Sequence, residues 1–348
     1  MTINNSMLKR LAKNSKIKDT SILSESKFFA NRDETPTEVP MINVALSGSI
    51  HGGLTSGLTV LAGPSKHFKT SFALLMASSY LRQHEDAVML FYDSEFGSPA
   101  GYFNTFGIPM DRVLHTPVTD IEKLNFDLVS QLEALESGDK VIVVIDSVGN
   151  LASKKELENA LSEKSVADMT RAKSLKSLFR MVTPYFAMKD IPMLAVNHTY
   201  QTQEMYSKQV VSGGTGIYYS ANNIWIIGRQ QDKVGQVIEG YDFIINVEKS
   251  RFVREKSKIP ISVSWDGGIE MYSGLLPIAI EGGFVSKPSA GWYCKVNTDT
   301  GELGPSMREK DTMNKEFWED ILGNPKFDQY IKGKFRVSHA PVTDGEEK

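Results

Sequence analysis

Four short runs rich in Val, Ile, Leu and Phe, separated by longer segments of helical character, constrain the fold of this chain most strongly. They are GLTVLAG (57–63), AVMLFYD (87–93), KVIVVID (140–146) and IPMLAVN (191–197). Near-continuous apolar runs are typical of strands that are buried on both faces. Helices are predicted over 70–83, 121–136 and 165–188. This alternation predicts an α/β fold with a mainly parallel central sheet and helices on both faces.

Three further apolar runs follow with turn-rich links, which include DGG at 266–268. They are NNIWIIG (222–228), YDFIINVE (241–248) and IPISVSW (259–265). We expect them to extend the sheet as antiparallel pairs, because short links join antiparallel neighbours. The predicted organisation is an N-terminal arm (1–40), a core (41–272) and a small C-terminal subdomain and tail (273–348). The arm carries a short helix around Leu8 and Leu11, and SKFFANRDETPTEVP is predicted to be exposed.

The bulk composition excludes several classes of protein. The net charge of -3 argues against a uniformly basic nucleic-acid coat protein. Cys294 is the only cysteine, which rules out an intramolecular disulfide and indicates a reducing compartment. The N-terminus lacks the apolar core of a signal peptide, and no run approaches the ~20 apolar residues that span a bilayer. These features predict a soluble protein of the cytoplasm without a membrane partner.

The segment GPSKHFKT at 63–70 resembles a phosphate-binding loop, since it lies between a predicted strand and a predicted helix. Gly63, Lys69 and Thr70 match that motif, whereas Phe68 replaces its second glycine. Because phenylalanine resists a positive φ, we expect a slightly shifted loop with the ring turned away from the phosphates. The alternative is an ordinary turn rich in Ser and Lys. The predicted nucleotide-binding residues are Gly63, Pro64, Ser65, Lys66, His67, Phe68, Lys69, Thr70 and Ser71.

Acidic side chains follow two of the other apolar runs. Asp93 and Glu95 end the second run, and Asp146 ends the third in the manner of a Walker B strand. One such carboxylate alone is typical of a turn cap, but three strand ends in this order favour ATP binding at the carboxyl edge of the sheet. Thr70 and Asp146 are the predicted Mg²⁺ ligands.

These motifs together resemble the RecA family of strand-exchange ATPases, and most closely its UvsX branch in tailed phages. The resemblance covers roughly residues 27–300, through GPSKHFKT, FYDSEFG, VVIDSVGNLASKKE, DMTRAK, AVNHTYQTQEMYSK, GGTG, NVEKSR and GWY. It implies a RecA-like P-loop core that uses ATP and Mg²⁺. It also implies a filament on single-stranded DNA that catalyses homologous pairing and strand exchange in recombination, repair and recombination-dependent replication. The phage branch carries phenylalanine at the position of Phe68.

The resemblance also assigns roles at the nucleotide. It makes Glu95 the general base that activates water, and Tyr102 the residue that stacks on adenine. His198 stands where bacterial relatives carry the glutamine that senses the γ-phosphate. Lys249 and Arg251 match cations that reach the nucleotide of a neighbouring subunit. From the sequence alone, this last pair is typical of a solvated strand end.

Two segments without apolar periodicity, 152–165 and 199–216, resemble the family's DNA-binding loops. Aromatic stacking by Tyr206 and phosphate contacts by cations would bind DNA without reading its sequence. Phe28 and Phe29 resemble a hook onto an adjacent subunit, although a staple onto their own core is an alternative. The predicted DNA-binding residues are Lys154, Lys155, Arg171, Lys173, Arg180, Tyr206, Lys208, Gly213 and Gly214, with Lys176 on the same helical face. The expected partners are single- and double-stranded DNA, further copies of the chain, a single-strand-binding protein and a recombination mediator.

Other functions remain open at this point. A hexameric helicase motor would use the same core, but the polar residues 1–40 are too short for a separate collar domain. A DNA-binding paralogue that uses ATP only for regulation is a second alternative, against which the intact Lys69 and Glu95 argue. The sequence shows no acceptor-pocket motif of a small-molecule kinase.

Overall fold

The structure is a computed structural model that describes residues 6–17, 19–26, 33–162, 170–202, 208–234 and 237–337. The strands are β1 (Gly57–Ala62), β2 (Val88–Asp93), β3 (Val113–Pro117), β4 (Val141–Asp146), β5 (Pro192–Asn197), β6 (Thr199–Gln201), β7 (Gln209–Val211), β8 (Ala221–Val234), β9 (Val237–Ser250), β10 (Lys258–Ser264), β11 (Gly268–Ile269), β12 (Val285–Ser289), β13 (Trp292–Lys295) and β14 (Met307–Arg308). The α-helices are α1 (Ser6–Asn14), α2 (Pro40–Ser47), α3 (Lys69–Gln83), α4 (Ala100–Thr105), α5 (Ile121–Ala134), α6 (Lys154–Leu161), α7 (Thr170–Met188), α8 (Thr215–Ser220), α9 (Leu275–Glu281), α10 (Lys315–Leu322) and α11 (Pro325–Phe335).

A nine-stranded sheet forms the centre of the fold, in the order β11-β10-β9-β8-β1-β5-β4-β2-β3. The strands from β1 to β3 in this order are parallel, and β8 joins β1 in parallel. β9 and β10 then extend the sheet in antiparallel pairs. The predicted fold class is therefore confirmed, and all seven predicted strands form.

Two apolar clusters cover the two faces of the sheet. Successive side chains of a strand point to opposite faces, and β1 shows this clearly. Leu61 belongs to the cluster that contains Phe72 of α3, whereas Val60 belongs to the cluster that contains Phe179 of α7. β1, β4 and β5 are buried throughout, so these strands form a rigid base for the residues at their ends.

Two segments contain more ordered structure than their sequences indicate. In the segment 152–165, which lacks apolar periodicity, residues Lys154–Leu161 form α6. Ser153 starts this helix with a capping box, in which its hydroxyl accepts from Glu156 N and the Glu156 carboxylate accepts from Ser153 N. The segment 26–40 is also not exposed at its end, since Thr37 is buried and hydrogen bonds to Asn43 of α2.

The last part of the described chain builds a small sheet, β12-β13-β14. Trp318 of α10 is fully buried and stacks near Tyr272, with ring centroids 6.3 Å apart. Within the described ranges, no helix combines the length and the apolar character needed to cross a bilayer.

Candidate nucleotide and nucleic-acid site

The strand order brings the chemically important strand ends to one edge. β1, β5, β4 and β2 are consecutive neighbours, and Asp93 lies directly opposite Asp146 in the parallel register. The phosphate-binding loop leaves the end of β1, beside Asn197 at the end of β5. The carboxyl edge of the parallel strands thus gathers the loop and both acidic strand ends, as the sequence predicts.

The phosphate-binding loop accommodates Phe68 without losing its left-handed geometry. Phe68 has φ 58° and ψ 16°, so the expectation that it resists a positive φ is wrong here. Its ring stacks on Phe243 of β9 with centroids 5.1 Å apart, and its edge contacts Phe72 at 5.7 Å. The ring is thus held by Phe243 of β9 and Phe72 of α3, and it forms part of the cleft lining. That it turns away from bound phosphates stays a prediction.

Lys69 is held inside this loop. Its side chain donates a hydrogen bond from Nζ to the carbonyl oxygen of Pro64 at 2.7 Å, and the residue is 6% exposed. Burial lowers the pKa of its ammonium group. The loop, Glu95 and His198 border a cleft of about 410 Å³. A buried cation at a helix N-terminus favours an anionic ligand in this cleft.

Thr70 and Asp146 form the candidate metal site. The Thr70 hydroxyl donates to Asp146 Oδ2 at 2.7 Å, while the buried Oδ1 of Asp146 has no partner among the described residues. Burial, together with the charges of Glu95 and Asp93, raises the pKa of Asp146 to about 6. A bound divalent cation would offset this cost of burial. The hydroxyl and the unpaired carboxylate oxygen therefore fit Mg²⁺, which prefers oxygen ligands.

Glu95 is held by two donors in the same cleft. Its Oε1 accepts from Ser147 Oγ at 2.7 Å and lies 3.1 Å from His198 Nε2. The hydrogen bond from His198 lowers the pKa of Glu95, although burial opposes this shift. His198 itself packs against Gly149, where a Cβ atom would lie 2.3 Å from His198 Cδ2. The cleft therefore contains an ionised carboxylate whose direction is fixed by its neighbours.

Aromatic side chains form the wider part of the cleft. The Tyr102 hydroxyl of α4 hydrogen bonds to Ser71 of α3, which keeps the ring at the cleft wall. Trp265 and Tyr241 line the cleft as well, and the Arg229 guanidinium lies 4.6 Å from the Tyr241 ring centroid. Sequence reasoning missed these last three residues, because only the tertiary position of β8, β9 and β10 brings them to the loop.

Lys249 and Arg251 lie away from the phosphate-binding loop of their own chain. Lys249 pairs with Ile224 of β8, and Arg251 N donates to the carbonyl of Asn222 at the opposite, amino edge of β1. Ile224 in turn pairs with Val60, three residues before Gly63, so Lys249 lies about 10 Å along the strands and two strands across the sheet from the start of the loop. Lys249 Nζ donates to the carbonyl oxygen of Tyr218 at 2.6 Å, at the end of α8. Burial, and then the charge of Arg251, lower the pKa of Lys249.

Arg171 is engaged by its own chain. Its guanidinium donates to the carbonyl oxygens of Leu151 at 2.8 Å, Gly149 at 2.8 Å and Val148 at 3.1 Å, and reaches Ser212 Oγ at 3.5 Å. It therefore joins α7 to the segment after β4 and to the end of the second predicted DNA loop. These contacts make Arg171 a structural tie between the segment after β4 and the end of the second predicted DNA loop.

Of the other predicted DNA-binding residues that the structure describes, Gly213 is buried and the rest lie at the surface. Gly213 and Gly214 have φ 103° and 73°, and a Cβ at Gly213 would lie 3.0 Å from Leu175. Tyr206 lies outside the described residues, as do Phe28 and Phe29. The exposed cations of this set are Lys154, Lys155, Lys173, Lys176, Arg180 and Lys208.

Comparison with known proteins agrees with this geometry. A family model described as the RecA N-terminal domain matches residues 9–270, and one described as the C-terminal domain of the bacteriophage T4 recombination and repair protein matches residues 272–331. The chain is 55% identical to the recombination and repair protein of Enterobacteria phage T4 over 333 residues, which cover 94% of this chain and 85% of that protein.

Bacterial relatives are more distant. The chain is 24% identical to the RecA protein of Arthrobacter sp. strain FB24, over 88% of this chain and 85% of that protein. It is 23% identical to the RecA protein of Symbiobacterium thermophilum, over 94% of this chain and 90% of that protein. The family model that covers most of the chain and the high identity to the phage protein lead to one conclusion. The chain belongs to the RecA family of recombinases.

Proposed function

We propose that this protein is an ATP-dependent DNA recombinase that assembles on single-stranded DNA and catalyses homologous pairing and strand exchange. The observation that carries the proposal is the convergence of Lys69, the Thr70–Asp146 pair and Glu95 on one cleft. These groups supply a cation, oxygen ligands for a metal and an ionised carboxylate, which is the set that triphosphate hydrolysis requires. The similarity to a recombination and repair protein supports the DNA-directed role.

The loop residues 63–71 hold the triphosphate of ATP in this proposal. Lys69 exchanges its internal contact with Pro64 for phosphate oxygens, and Tyr102 stacks on the adenine. Thr70 and Asp146 hold Mg²⁺, which neutralises phosphate charge when bound. The orphaned Oδ1 of Asp146 supports this assignment, because a buried carboxylate oxygen without a partner is costly.

Glu95 acts as the general base toward water in the same cleft. Its lowered pKa keeps it ionised near pH 7, as a proton acceptor must be. His198 Nε2 lies 3.1 Å from the same carboxylate. A ligand that draws His198 toward phosphate would release one of the two donors to Glu95, and His198 could thereby report the nucleotide to the loop that follows β5.

Lys249 and Arg251 act on the nucleotide of an adjacent copy. Neither residue lines the cleft of its own chain, the Lys249 ammonium group is bound at Tyr218, and Arg251 lies toward the amino end of β1. These positions support action between subunits rather than within one. The contact between Lys249 and Tyr218 ties this cation to α8, which begins within the last residues of the second predicted DNA loop. Nucleotide binding between copies would compete for the ammonium group and so affect that loop.

DNA binding relies on the exposed cations of α6, α7 and residue 208, and on Tyr206. Lys173, Lys176 and Arg180 follow a spacing of three and four residues on α7, so that they share one face. Such contacts give binding that is independent of sequence and weakened by salt. The structural tie made by Arg171 supports a positioning role for this residue, beyond the phosphate contact that the family resemblance implies.

The remaining assignments concern the organisation of the chain and its partners. We assign residues 1–40 to contacts between subunits, 41–272 to the ATPase and DNA-binding core and 273–348 to a small C-terminal subdomain and tail. Double-stranded DNA is the second substrate of strand exchange. A single-strand-binding protein and a recombination mediator are the partners that such a filament requires for loading.

Steady-state ATPase assays with and without single-stranded DNA test the proposal. We expect DNA-stimulated hydrolysis that weakens with salt and is abolished in Lys69→Ala. Glu95→Gln should bind ATP and DNA but hydrolyse slowly, and should accumulate filaments visible by electron microscopy. Closed rings under the same conditions would favour a helicase instead, and hydrolysis at the wild-type rate in Glu95→Gln would refute the assignment of the base.

A further inference from the structure

The Asp93 side chain accepts hydrogen bonds from the backbone two and three residues further along the chain. Its side chain is buried at the end of β2, and its Oδ1 accepts from Glu95 N at 3.0 Å and from Phe96 N at 2.7 Å. Its second oxygen lies 3.3 Å from His115 Nε2 on β3. Both carboxylate oxygens are therefore committed, one to the backbone that carries Glu95 and one to the neighbouring strand.

Ser94 and Ser147 complete this arrangement from the other side. Ser94 N donates to the Asp146 carbonyl at 2.8 Å, and its hydroxyl donates to the Ser147 carbonyl at 2.7 Å while accepting from Ser147 N at 3.0 Å. Ser147 Oγ in turn donates to the carboxylate of Glu95. The backbone of Glu95 is thus tied to β2, and its side chain to the end of β4.

We propose that Asp93 is a positioning residue for Glu95, and that it acts through hydrogen-bond acceptance by Oδ1 rather than through its negative charge. This inference rests on the proposed role of Glu95 as the base. The two N–H groups bound by Asp93 belong to a sharp turn, since Phe96 has φ 54°. Without an acceptor, these groups would turn toward water and the Glu95 side chain would lose its direction.

The competing explanation is electrostatic. Asp93 contributes to the negative potential at Asp146, so its charge could matter to the metal site. The two explanations predict different results for asparagine at this position. Its amide oxygen preserves both bonds to the turn, but its charge is zero.

The first experiment compares Asp93→Ala with Asp93→Asn by DNA-stimulated ATPase kinetics. A base displaced by about 1 Å can lose ~100-fold in rate, so we expect Asp93→Ala to lower kcat by about 10- to 100-fold. The KM for ATP should change less than about three-fold, because the loop remains intact. Asp93→Asn should retain kcat within about three-fold of the wild type. Equal losses in the two variants would overturn the proposal.

The second experiment repeats Asp93→Ala in the Glu95→Gln background. If Asp93 acts through Glu95, the two losses in kcat are not additive, and the double variant equals Glu95→Gln within about three-fold. Full additivity would overturn the proposal. Ser94→Ala removes the hydroxyl that hydrogen bonds to Ser147 and leaves Asp93 unchanged. We expect this variant to show an intermediate loss in kcat with unchanged KM. A loss in nucleotide affinity instead would also contradict the positioning role.

These outcomes separate the inference from the function on which it rests. If Glu95→Gln hydrolyses ATP normally, Glu95 is not the base and the proposed mechanism fails. If Glu95→Gln is impaired while Asp93→Ala is not, the mechanism stands and only the role of Asp93 is wrong. Binding of a non-hydrolysable ATP analogue by each variant shows whether the folded nucleotide site is intact.

Discussion

The ring of Phe68 stacks on the ring of Phe243 across 175 residues of sequence, with an interplanar angle of 25°. This contact ties the phosphate-binding loop to β9, and it occurs at the position of the second glycine in the phosphate-binding motif. A left-handed conformation costs a residue with a Cβ atom roughly 1–2 kcal/mol. Aromatic pairs contribute about 0.5–1.5 kcal/mol beyond the burial of their surface. The stack therefore offsets the backbone strain.

Two substitutions at Phe68 should distinguish the cost of its left-handed backbone from the stabilisation by its stacked ring. Phe68→Ala loses the ring but keeps the strained Cβ, whereas Phe68→Gly loses the ring and relieves the strain. We expect the free energy of unfolding of Phe68→Ala to be about 1 kcal/mol lower than that of Phe68→Gly. Urea unfolding of both variants measures this difference, with Phe243→Leu as a control for the partner ring. Equal stability of the two variants would show that the left-handed backbone carries no strain.

The raised pKa of Asp146 should make the free energy of unfolding depend on pH. Its pKa is raised to about 6 in the folded chain, so the folded state holds a proton that the unfolded state has released above its ordinary pKa. Stability is therefore lost as pH rises through this window, and the loss persists above it. Without nucleotide or metal, Asp146→Asn should be more stable than the wild type by about 2 kcal/mol at pH 7.5.

This gain should shrink steadily as pH falls below 6, and urea unfolding at pH 7.5 and 5.0 measures the change. Asp146→Asn should also lose ATPase activity, since the carboxylate would hold Mg²⁺. Thr70→Ala serves as the matched control, because it removes the hydroxyl ligand without removing the buried charge. A variant Asp146→Asn that is less stable than the wild type at pH 7.5 would show that burial does not penalise this carboxylate.

Mixing two inactive variants should restore hydrolysis if Lys249 acts between copies. Lys249→Ala retains Glu95, and Glu95→Gln retains Lys249, so a junction between unlike copies can contain both intact groups. With random assembly of an equal mixture, about one quarter of the junctions are intact. We expect ATPase activity near that fraction of the wild type, measured with saturating single-stranded DNA.

The matched control for this experiment is a mixture of Lys69→Ala with Glu95→Gln. Both of these residues lie in the cleft of one chain, so no junction regains a complete site and activity should stay at background. Recovery of ATPase activity in this control mixture would argue that the two cations do not complete a neighbour's site. The absence of recovery in the mixture of Lys249→Ala with Glu95→Gln would argue the same.

Arg171 and Lys173 should respond differently to alanine substitution. Arg171→Ala leaves three carbonyl oxygens without their donor, so we expect the free energy of unfolding to fall by about 2 kcal/mol. Lys173 is exposed, and its replacement should change stability by less than about 0.5 kcal/mol. Lys173→Ala should instead reduce the dependence of log K on log salt by ~0.7 for single-stranded DNA. Fluorescence anisotropy at several salt concentrations, together with urea unfolding, measures both effects.

The parallel core and its edge could be predicted because the relevant residues are local in sequence. Buried strands such as 140–146 have continuous apolar runs, and the acidic residues that end two of these runs, Asp93 and Asp146, mark the carboxyl edge. β3 escaped prediction because VLHTP is an edge strand with an exposed Leu114 and ends in proline. α6 was missed because polar residues dominate it and only its capping box marks its start.

The contacts that shape the site could not be predicted, since they join distant parts of the chain. Nothing near Phe68 indicates that Phe243 would accept its ring, and nothing near Lys249 indicates the Tyr218 carbonyl. From the sequence alone, Arg171 is one cation of a charged helix face. Only the fold places the carbonyl oxygens of the residues after β4 within reach of its guanidinium group. The roles of the site residues, and the division of the chain at residues 40 and 272, stay predictions.

Because Lys249 and Arg251 lie away from the phosphate-binding loop of their own chain, the number of complete nucleotide sites depends on how copies of the chain assemble. If Lys249 and Arg251 act on a neighbouring copy, as proposed, the contact is head-to-tail, and contacts of this kind either close into a ring or continue as an open helix. A ring of n copies contains n complete sites, whereas an open row of n copies contains only n − 1, because one terminal cleft has no neighbour. Turnover per chain would then rise with the length of a row, and short oligonucleotides would support slower hydrolysis per bound copy than long ones.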